Sequence, residues 1–248
     1  MCEESGYNTT NSSDNASYTS LNCPEATFEE LSTLSLLSFL LDGVFRFIIS
    51  SLGICGNAAS IFILTRRELH GFFNQLLVVL VMFDLVYLIT TMLESMVKLG
   101  IESDIHTYLF PYLLYPLNAI SMMGSIYMTM AVGLERYIAV YHPIEYSMVA
   151  NDVSSHTKRL IKYVAPITLF SIFFNIPKFF ESQVVYENEE VFMEVTELRM
   201  SNQYVLWYHN WARFLILGII PLTVICFLNY KIYCIVNKRR KNAWKKHD

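Results

Sequence analysis

Residues 118–143 read NAISMMGSIYMTMAVGLERYIAVYHP, a long apolar run with charged residues near its end. A helix that crosses a bilayer needs about 20 predominantly apolar residues, and this run is long enough. Its unusual feature is the triplet Glu135-Arg136-Tyr137. An arginine at the mouth of an apolar helix is costly unless it reaches water or a partner, and a lone arginine there would extend its head group to the interface. The neighbouring acid, the tyrosine and the following AVYHP at 139–143 indicate a more specific role.

The composition indicates a chain that crosses a membrane several times. Of its 248 residues, 54% are hydrophobic and 16% are charged, whereas soluble domains hold about 25% charged residues. We predict five apolar segments long enough to span a bilayer, at about residues 47–64, 72–97, 108–141, 160–180 and 205–236. The predicted fold class is therefore an all-α, polytopic helical bundle in a membrane.

Basic residues distinguish an outer side of the chain from an inner side. Residues 1–41 contain no lysine or arginine, whereas basic residues follow the first segment, precede the fourth and follow the fifth. By the positive-inside rule, residues 1–41 form an extracellular tail, residues 42–237 the membrane bundle, and residues 238–248 the start of a basic cytosolic loop. Three N-glycosylation sequons, at Asn8, Asn11 and Asn15, agree with an outer tail. We expect a multi-pass plasma-membrane protein with its N-terminus outside and its C-terminus in the cytosol.

The apolar segments carry short sequence motifs. Four of them follow one another on the first, second, third and fifth segments: Gly56-Asn57, Leu80-x-x-x-Asp84, Glu135-Arg136-Tyr137 and Pro221. This order resembles that of rhodopsin-like, or class A, G-protein-coupled receptors, and the resemblance covers almost all of the chain after the tail. It implies seven helices, of which the sequence contains five, so that the receptor is incomplete at its C-terminal side. It also implies that Glu135, Arg136 and Tyr137 lie where a heterotrimeric G protein docks.

Further runs narrow this resemblance. Residues 175–181, NIPKFFE, and 195–199, VTELR, resemble the FMRFamide-type neuropeptide receptors of invertebrates, as do FPY at 110–112 and YP at 115–116. The resemblance implies an extracellular peptide ligand. The family's usual cysteines at the top of the third helix and in the outer loop are absent, so the disulfide that they form is not expected. The basic residues after the fifth segment indicate the cytosolic lipid surface rather than nucleic acid.

The class of ligand is predicted from the outer ends of the helices. Asn118 stands eighteen residues before Arg136, where receptors for amines carry an aspartate, which argues against an amine ligand. The glutamates of residues 187–197 would attract a basic peptide, although acidic loops are often only solvated surface. Glu94 is either an ordinary interfacial acid or the counter-ion for the arginine of a basic, amidated peptide. The residues predicted to bind the ligand are Glu94, Tyr115, Asn118, Met122 and Trp211.

A carboxylate in the middle of the second segment needs partners. On insertion scales, a charge at that depth costs about 2.5 to 3.5 kcal/mol, so Asp84 should face the interior of the bundle. Asn57 can supply an amide and Ser125 a hydroxyl. These residues could form a packing network that holds helices together. The receptor resemblance implies instead that Asp84, Asn57 and Ser125 form part of a sodium site, and no other cofactor is expected.

Other classes of function fit the sequence less well. A transporter would tend to show paired half-repeats, and an enzyme would need a nucleophile next to a base; we find neither pattern, so we do not expect an enzyme. Receptors of this class signal when the sixth helix swings outward. We therefore expect that this chain does not signal alone. The alternative function is that of a truncated isoform that associates with full-length receptors without signalling.

Overall fold

A computed structural model describes residues 28–66, 71–101, 104–144, 146, 153–187 and 190–244. Within these ranges, five helices are long and apolar enough to cross a membrane, as predicted. The first, α1, consists of α-helix over Phe28–Ser38, a π-helical stretch over Phe39–Phe45 and α-helix over Arg46–Leu64. It begins inside the stretch that we assigned to the polar tail. The predicted glycosylation sites Asn8, Asn11 and Asn15 lie outside the described residues.

The second helix, α2, covers Phe72–Lys98 and ends in a glycine cap. Gly100 has φ +86°, a left-handed conformation that glycine adopts without a steric penalty. Its amide donates to the carbonyl of Val97 at 3.0 Å, and the amide of Ile101 donates to that of Met96 at 3.1 Å. This pair of bonds is a Schellman motif, which satisfies carbonyls that the helix end would otherwise leave free.

The third and fourth helices both change their winding near one end. Helix α3 runs through Asp104–Leu109, a π-helical stretch over Phe110–Leu114, and Tyr115–Tyr141. Helix α4 covers Val153–Asn175 and continues as a 3₁₀ helix over Ile176–Phe180. Proline disfavours the α conformation in the residue before it and lacks the N–H of an α-helical bond, so Pro177 explains why the α-helix stops there.

A β-hairpin follows α4 and was not predicted. Strands β1, Ser182–Glu187, and β2, Glu190–Val195, pair antiparallel with Ser182 opposite Val195. Valine, tyrosine and phenylalanine in these strands favour extended structure. Short helical turns at Glu197–Met200 and Asn202–Tyr204 lead into the fifth helix.

The fifth helix, α5, is partly π-helical and is longer than predicted. It follows Asn202–Tyr204 as π-helical stretches over Val205–Ala212 and Phe214–Ile219 and then as α-helix over Ile220–Trp244. The helix therefore enters residues 238–248, which we expected to begin a loop. Exposed apolar side chains cover much of α5, including Leu222 and Phe227. Outward apolar side chains are what a helix presents to lipid.

Helix α3 is the centre of the bundle. It packs against α2, α4 and α5, while α1 packs against α2. The buried core lies near the Glu135 end of α3 and consists of Phe72, Leu76, Met128, Ala131 and Val132. Helices α2 and α3 approach closely at Gly124, where an added Cβ would lie 2.5 Å from a ring carbon of Phe83. Small residues permit such close contacts between membrane helices.

Candidate functional site

A buried ion cluster lies where α3, α4, the hairpin and α5 meet. Its centre is Glu181, the residue after the 3₁₀ helix, and the cation buried with it is Lys178. Residues three apart lie on the same side of a 3₁₀ helix, so the turn that Pro177 induces brings these two side chains together. Their side chains are only 1% and 2% exposed, respectively. A buried charge of this kind needs a partner and further hydrogen bonds to be tolerated.

Side chains from four parts of the chain satisfy the Glu181 carboxylate. Lys178 Nζ lies 2.8 Å from Oε1 and 3.0 Å from Oε2. Tyr204 donates its hydroxyl proton to Oε1 at 2.7 Å, while Tyr115 and Arg199 donate to Oε2 at 2.6 and 2.7 Å. A carboxylate accepts about four hydrogen bonds, so these donors fill it. Burial raises the pKa of Glu181, but the hydrogen bonds from Lys178, Tyr115 and Tyr204 outweigh it and lower the pKa to about 2.

The cluster carries more positive than negative charge. His209 Nδ1 lies 3.1 Å from Arg199 Nη1 and 3.5 Å from Lys178 Nζ. Both neighbours are donors, so this nitrogen acts as the acceptor of a neutral imidazole. A third cation, Arg213, donates to the side-chain oxygen of Asn175 at 3.4 Å. Lys178 and Arg199 bind the Glu181 carboxylate, and Arg213 lies near enough to Lys178 to act on it electrostatically.

An open cavity of about 510 Å³ adjoins this cluster through His209. Its walls are His209, Asn210, Trp211 and Phe214, all from the π-helical part of α5. The indole of Trp211 is exposed there. This open, mainly apolar surface can hold an aromatic or aliphatic group next to the polar, charged cluster.

The predicted ligand residues fall into different surroundings. Tyr115 belongs to the ion cluster and Trp211 to the cavity beside it. Asn118 donates to the hydroxyls of Thr90 and Thr91, both at 2.9 Å, and so links α3 to α2. Met122 is half-buried on α3. The structure therefore connects Tyr115 with Trp211, whereas it shows Asn118 bound within the bundle.

Glu94 has an internal partner that we did not predict. Its carboxylate accepts a hydrogen bond from Arg46 at 2.7 Å, and both side chains are 31% exposed. Arg46 precedes the predicted start of the first segment at residue 47, but the observed helix α1 includes it. A ligand arginine would have to compete with Arg46 for this carboxylate.

At the other end of α3, Glu135 is paired with α4. Its side chain is fully buried, and Arg159 Nη2 donates to both carboxylate oxygens at 3.0 and 2.8 Å. The guanidinium of Arg159 also lies over the ring of Phe72, 4.7 Å from its centroid. We had used Arg159 only to orient the chain, and its spacing to Glu135 carries no local signal in the sequence. Burial also raises the pKa of the nearby Tyr146, with the Glu135 charge adding to the effect.

The other two residues of the triplet lie next to rings. Arg136 is exposed, and its guanidinium lies over the ring of Phe73 at 5.2 Å. Tyr137 stacks on Tyr141 with 5.6 Å between ring centroids. Successive residues of an α-helix point in directions about 100° apart, so the buried Glu135 faces α4 while Arg136 is exposed at the bundle surface.

Asp84 has one of its two expected partners. The hydroxyl of Ser125 donates to Asp84 Oδ1, which links α3 to α2. The amide of Asn57 donates to the carbonyl of Gly53 in its own helix at 3.0 Å. Among the described residues, no group of three or more His, Cys, Asp or Glu side chains could hold a metal ion. The adjacent oxygens of Asp84 and Ser125 suit a hard cation such as sodium, and the site remains a prediction.

Comparison with known proteins agrees with this architecture. Residues 56–248 match the family model of the seven-transmembrane receptors of the rhodopsin family. This chain belongs to that family. The rhodopsin-like resemblance and the helical-bundle fold class are therefore confirmed, and the protein is a multi-pass membrane protein.

Individual receptors extend the match over most of the chain. It is 30% identical over 223 residues to the FMRFamide receptor of Drosophila melanogaster, covering 83% of this chain and 39% of that receptor. It is 24% identical over 220 residues to the probable G-protein coupled receptor frpr-1 of Caenorhabditis elegans, covering 79% of this chain and 57% of that protein. The alignments thus span about two-fifths and three-fifths of these two receptors.

Proposed function

We propose that this chain forms the ligand-binding part of a neuropeptide receptor that acts on a heterotrimeric G protein. The observation that carries the proposal is the buried Glu181 carboxylate beside the Trp211 cavity, at the opposite end of α3 from Glu135-Arg136-Tyr137. Twenty residues separate Tyr115 from Glu135, or about 30 Å at 1.5 Å per residue. This distance equals the thickness of the hydrocarbon core of a bilayer, about 30 Å. One site would face the outside and the other the cytosol.

The proposed ligand is a basic, amidated peptide of the FMRFamide type. The cavity between Trp211 and Phe214 suits an aromatic side chain, since aromatic pairs gain about 0.5–1.5 kcal/mol beyond burial. Exposed Glu194 and Glu197 would steer a cationic peptide toward this end. The similarity to a receptor named for FMRFamide supports the same class of ligand.

A binding experiment tests this proposal. Membranes containing the chain would be titrated with a fluorescent peptide ending in Arg-Phe-amide, and with the same peptide ending in a free carboxylate. We expect saturable binding of the amide, weaker binding of the acid, and a loss of at least tenfold in affinity for Trp211→Ala. Equal, non-saturable uptake of both peptides by membranes with and without the inserted chain would refute the proposal.

At the inner end, the proposed role of Arg136 is to contact the G protein. Its exposure and the pairing of Glu135 with Arg159 support this role, because the acid is occupied and the arginine faces outward. The orientation is tested by glycosidase treatment of the expressed chain. A mobility shift that is lost after replacing Asn8, Asn11 and Asn15 would place the N-terminus on the lumenal side of the membrane, which becomes the outside at the cell surface.

The exposed apolar side of α5 also supports the alternative, an association with full-length receptors without signalling. Leu222 and Phe227 are both more than half exposed and offer an apolar surface to another helix. Coexpression with a full-length relative and crosslinking from Leu222→Cys would test it. Dimers specific to this position, with reduced signalling by the relative, would favour the alternative.

A further inference from the structure

Arg199 reaches the ion cluster from outside the bundle. It lies on the short helical turn Glu197–Met200 that follows the hairpin. Thr196, just before this turn, donates its hydroxyl to the carbonyl of Phe180 at 2.6 Å and its amide to that of Glu181 at 3.1 Å. These two bonds fix the loop across the end of α4. They place the guanidinium of Arg199 against the carboxylate that Lys178 already neutralises.

Arg199 differs from Lys178 in its access to solvent. Arg199 is 32% exposed, whereas Lys178 and Glu181 are buried. The same guanidinium nitrogen that binds Glu181 lies 3.1 Å from His209, a wall of the Trp211 cavity. Arg199 therefore stands between the cavity and the carboxylate, on a loop rather than on a spanning helix.

The charge of the cluster restricts how a second guanidinium could bind there. Lys178, Arg199 and Arg213 already exceed the single negative charge of Glu181. Adding a further cation would place like charges together in a partly desolvated site, which is unfavourable. Exchanging one guanidinium for another leaves the charge and the hydrogen bonds unchanged. Lys178 stays in place during such an exchange and keeps Glu181 paired.

We propose that Arg199 is an internal occupant of a guanidinium subsite on Glu181, and that the arginine side chain of the peptide ligand displaces it. This inference rests on the proposed peptide function. It assigns recognition of the ligand's arginine to the Glu181 carboxylate. The aromatic residue next to that arginine would then enter the cavity at Trp211 and Phe214. Displacement would also release the Glu197–Met200 turn, so a spectroscopic probe on this turn would detect ligand binding.

Competition with a tethered group lowers the apparent affinity of the free ligand. A group held by a short linker has an effective concentration in the millimolar range. The ligand binds only the fraction of molecules in which the subsite is open. Removing the guanidinium of Arg199 should therefore tighten peptide binding, whereas removing a residue that merely supports the site would weaken it.

The first test compares, in the inserted chain, two arginine–glutamate pairs whose arginines are similarly exposed. Arg199–Glu181 and Arg46–Glu94 have the same 2.7 Å separation, and the two arginines are 32% and 31% exposed. We expect Arg199→Gln to lower the Kd of the Arg-Phe-amide peptide about tenfold or more, and Arg46→Gln to leave it unchanged. In a Glu181→Gln background that keeps its helical circular dichroism, Arg199→Gln should not lower the Kd further. A Kd that is unchanged or higher in Arg199→Gln would refute the proposal, and a lower Kd only in Arg46→Gln would assign the ligand arginine to Glu94.

A second test does not depend on the peptide. In Arg199→Ala, ethylguanidinium at millimolar concentration should refill the vacated subsite and raise the Tm of the purified chain, whereas ethylammonium should raise it less. Neither compound should act on the chain with Arg199 intact in this concentration range. A rise in the Tm of Arg199→Ala with ethylguanidinium, in a chain that does not bind the Arg-Phe-amide peptide, would support the guanidinium subsite and refute the proposed class of peptide ligand. An equal effect of both compounds on Arg199→Ala, or no effect of either, would refute the subsite.

Discussion

Replacing Glu181 by glutamine should destabilise the folded chain because it leaves Lys178 buried without a counter-ion. Lys178 is only 2% exposed, and its ammonium group donates to both carboxylate oxygens. The amide of glutamine can accept on one side only. Its NH₂ group would face either Lys178 or Arg199, which can only donate, even if the hydroxyl of Tyr204 or Tyr115 turned to accept from it. Breaking a buried pair by removing one partner costs about 3–5 kcal/mol, and we expect a loss in this range.

The assay is equilibrium unfolding of the purified chain in mixed micelles, followed by circular dichroism. Lys178→Met is the matched second variant, because it removes the buried cation while keeping a long apolar side chain. The double variant should be less destabilised than the sum of the two single variants, with a coupling of about 2 kcal/mol. A Glu181→Gln chain within about 1 kcal/mol of the original, the usual size of an exposed pair, would refute the reasoning.

The difference in unfolding free energy between the original chain and Glu181→Gln should depend on pH with a definite sign. The pKa of Glu181 is about 2 in the folded chain and 4.5 without the fold. Its ionised form therefore stabilises the fold fully above pH 4.5, and that contribution is lost as the pH falls through about 2. The stability difference between the original chain and Glu181→Gln should therefore shrink below about pH 4, where the Glu181 carboxylate of the original chain begins to lose its contribution.

Three further substitutions test other contacts in the bundle by the same unfolding measurement. Arg159→Met leaves the fully buried Glu135 unpaired and should cost about 3–5 kcal/mol, with partial recovery in Arg159→Met/Glu135→Gln; additive losses would contradict the pairing. Gly124→Ala places a Cβ 2.5 Å from the Phe83 ring and should cost about 1–3 kcal/mol, most of it relieved by Phe83→Leu; an unchanged stability would show that the ring moves freely. Asn118→Ala removes the bonds to Thr90 and Thr91 and should cost about 1–3 kcal/mol while changing peptide Kd less than threefold; a tenfold loss of affinity would restore Asn118 to the ligand site.

The spanning helices could be predicted from the sequence because length and hydrophobicity determine them locally. The motifs on α1, α2 and α3 could also be recognised, because each consists of residues close together in the sequence. The Glu181 cluster was not, since Tyr115 and Glu181 are 66 residues apart and meet only through the packing of α3 and α4. One signal was available: a lysine and a glutamate three residues apart, directly after a proline that tightens the helix. We had treated these residues only as part of a family resemblance.

The boundary of the first helix explains the interpretation of Glu94. With a predicted start at residue 47, Arg46 fell outside the helix and was not considered as a partner. In the structure, helix α1 continues on both sides of Arg46, π-helical before it and α-helical from it onward, so its side chain is held against α2. Helix boundaries are the weakest part of a sequence prediction. Here a shift of one residue in the boundary determined whether Arg46 was considered as the counter-ion of Glu94.

Helix α4 supplies a cation at each end of α3. The contact that a ligand could exchange is therefore the one made by Arg199, which lies outside both helices. Arg159 binds Glu135 near one end, and Lys178 binds the hydroxyl of Tyr115 at 2.7 Å near the other. The spacing is nineteen residues along α4 and twenty along α3, so the two antiparallel helices are joined at both membrane faces. Charge-assisted bonds are stronger than neutral ones, and a unit fastened at both ends resists sliding. Since Arg199 joins this unit from a loop, exchange of its guanidinium would change the position of the hairpin and the start of α5 while α3 and α4 stay together.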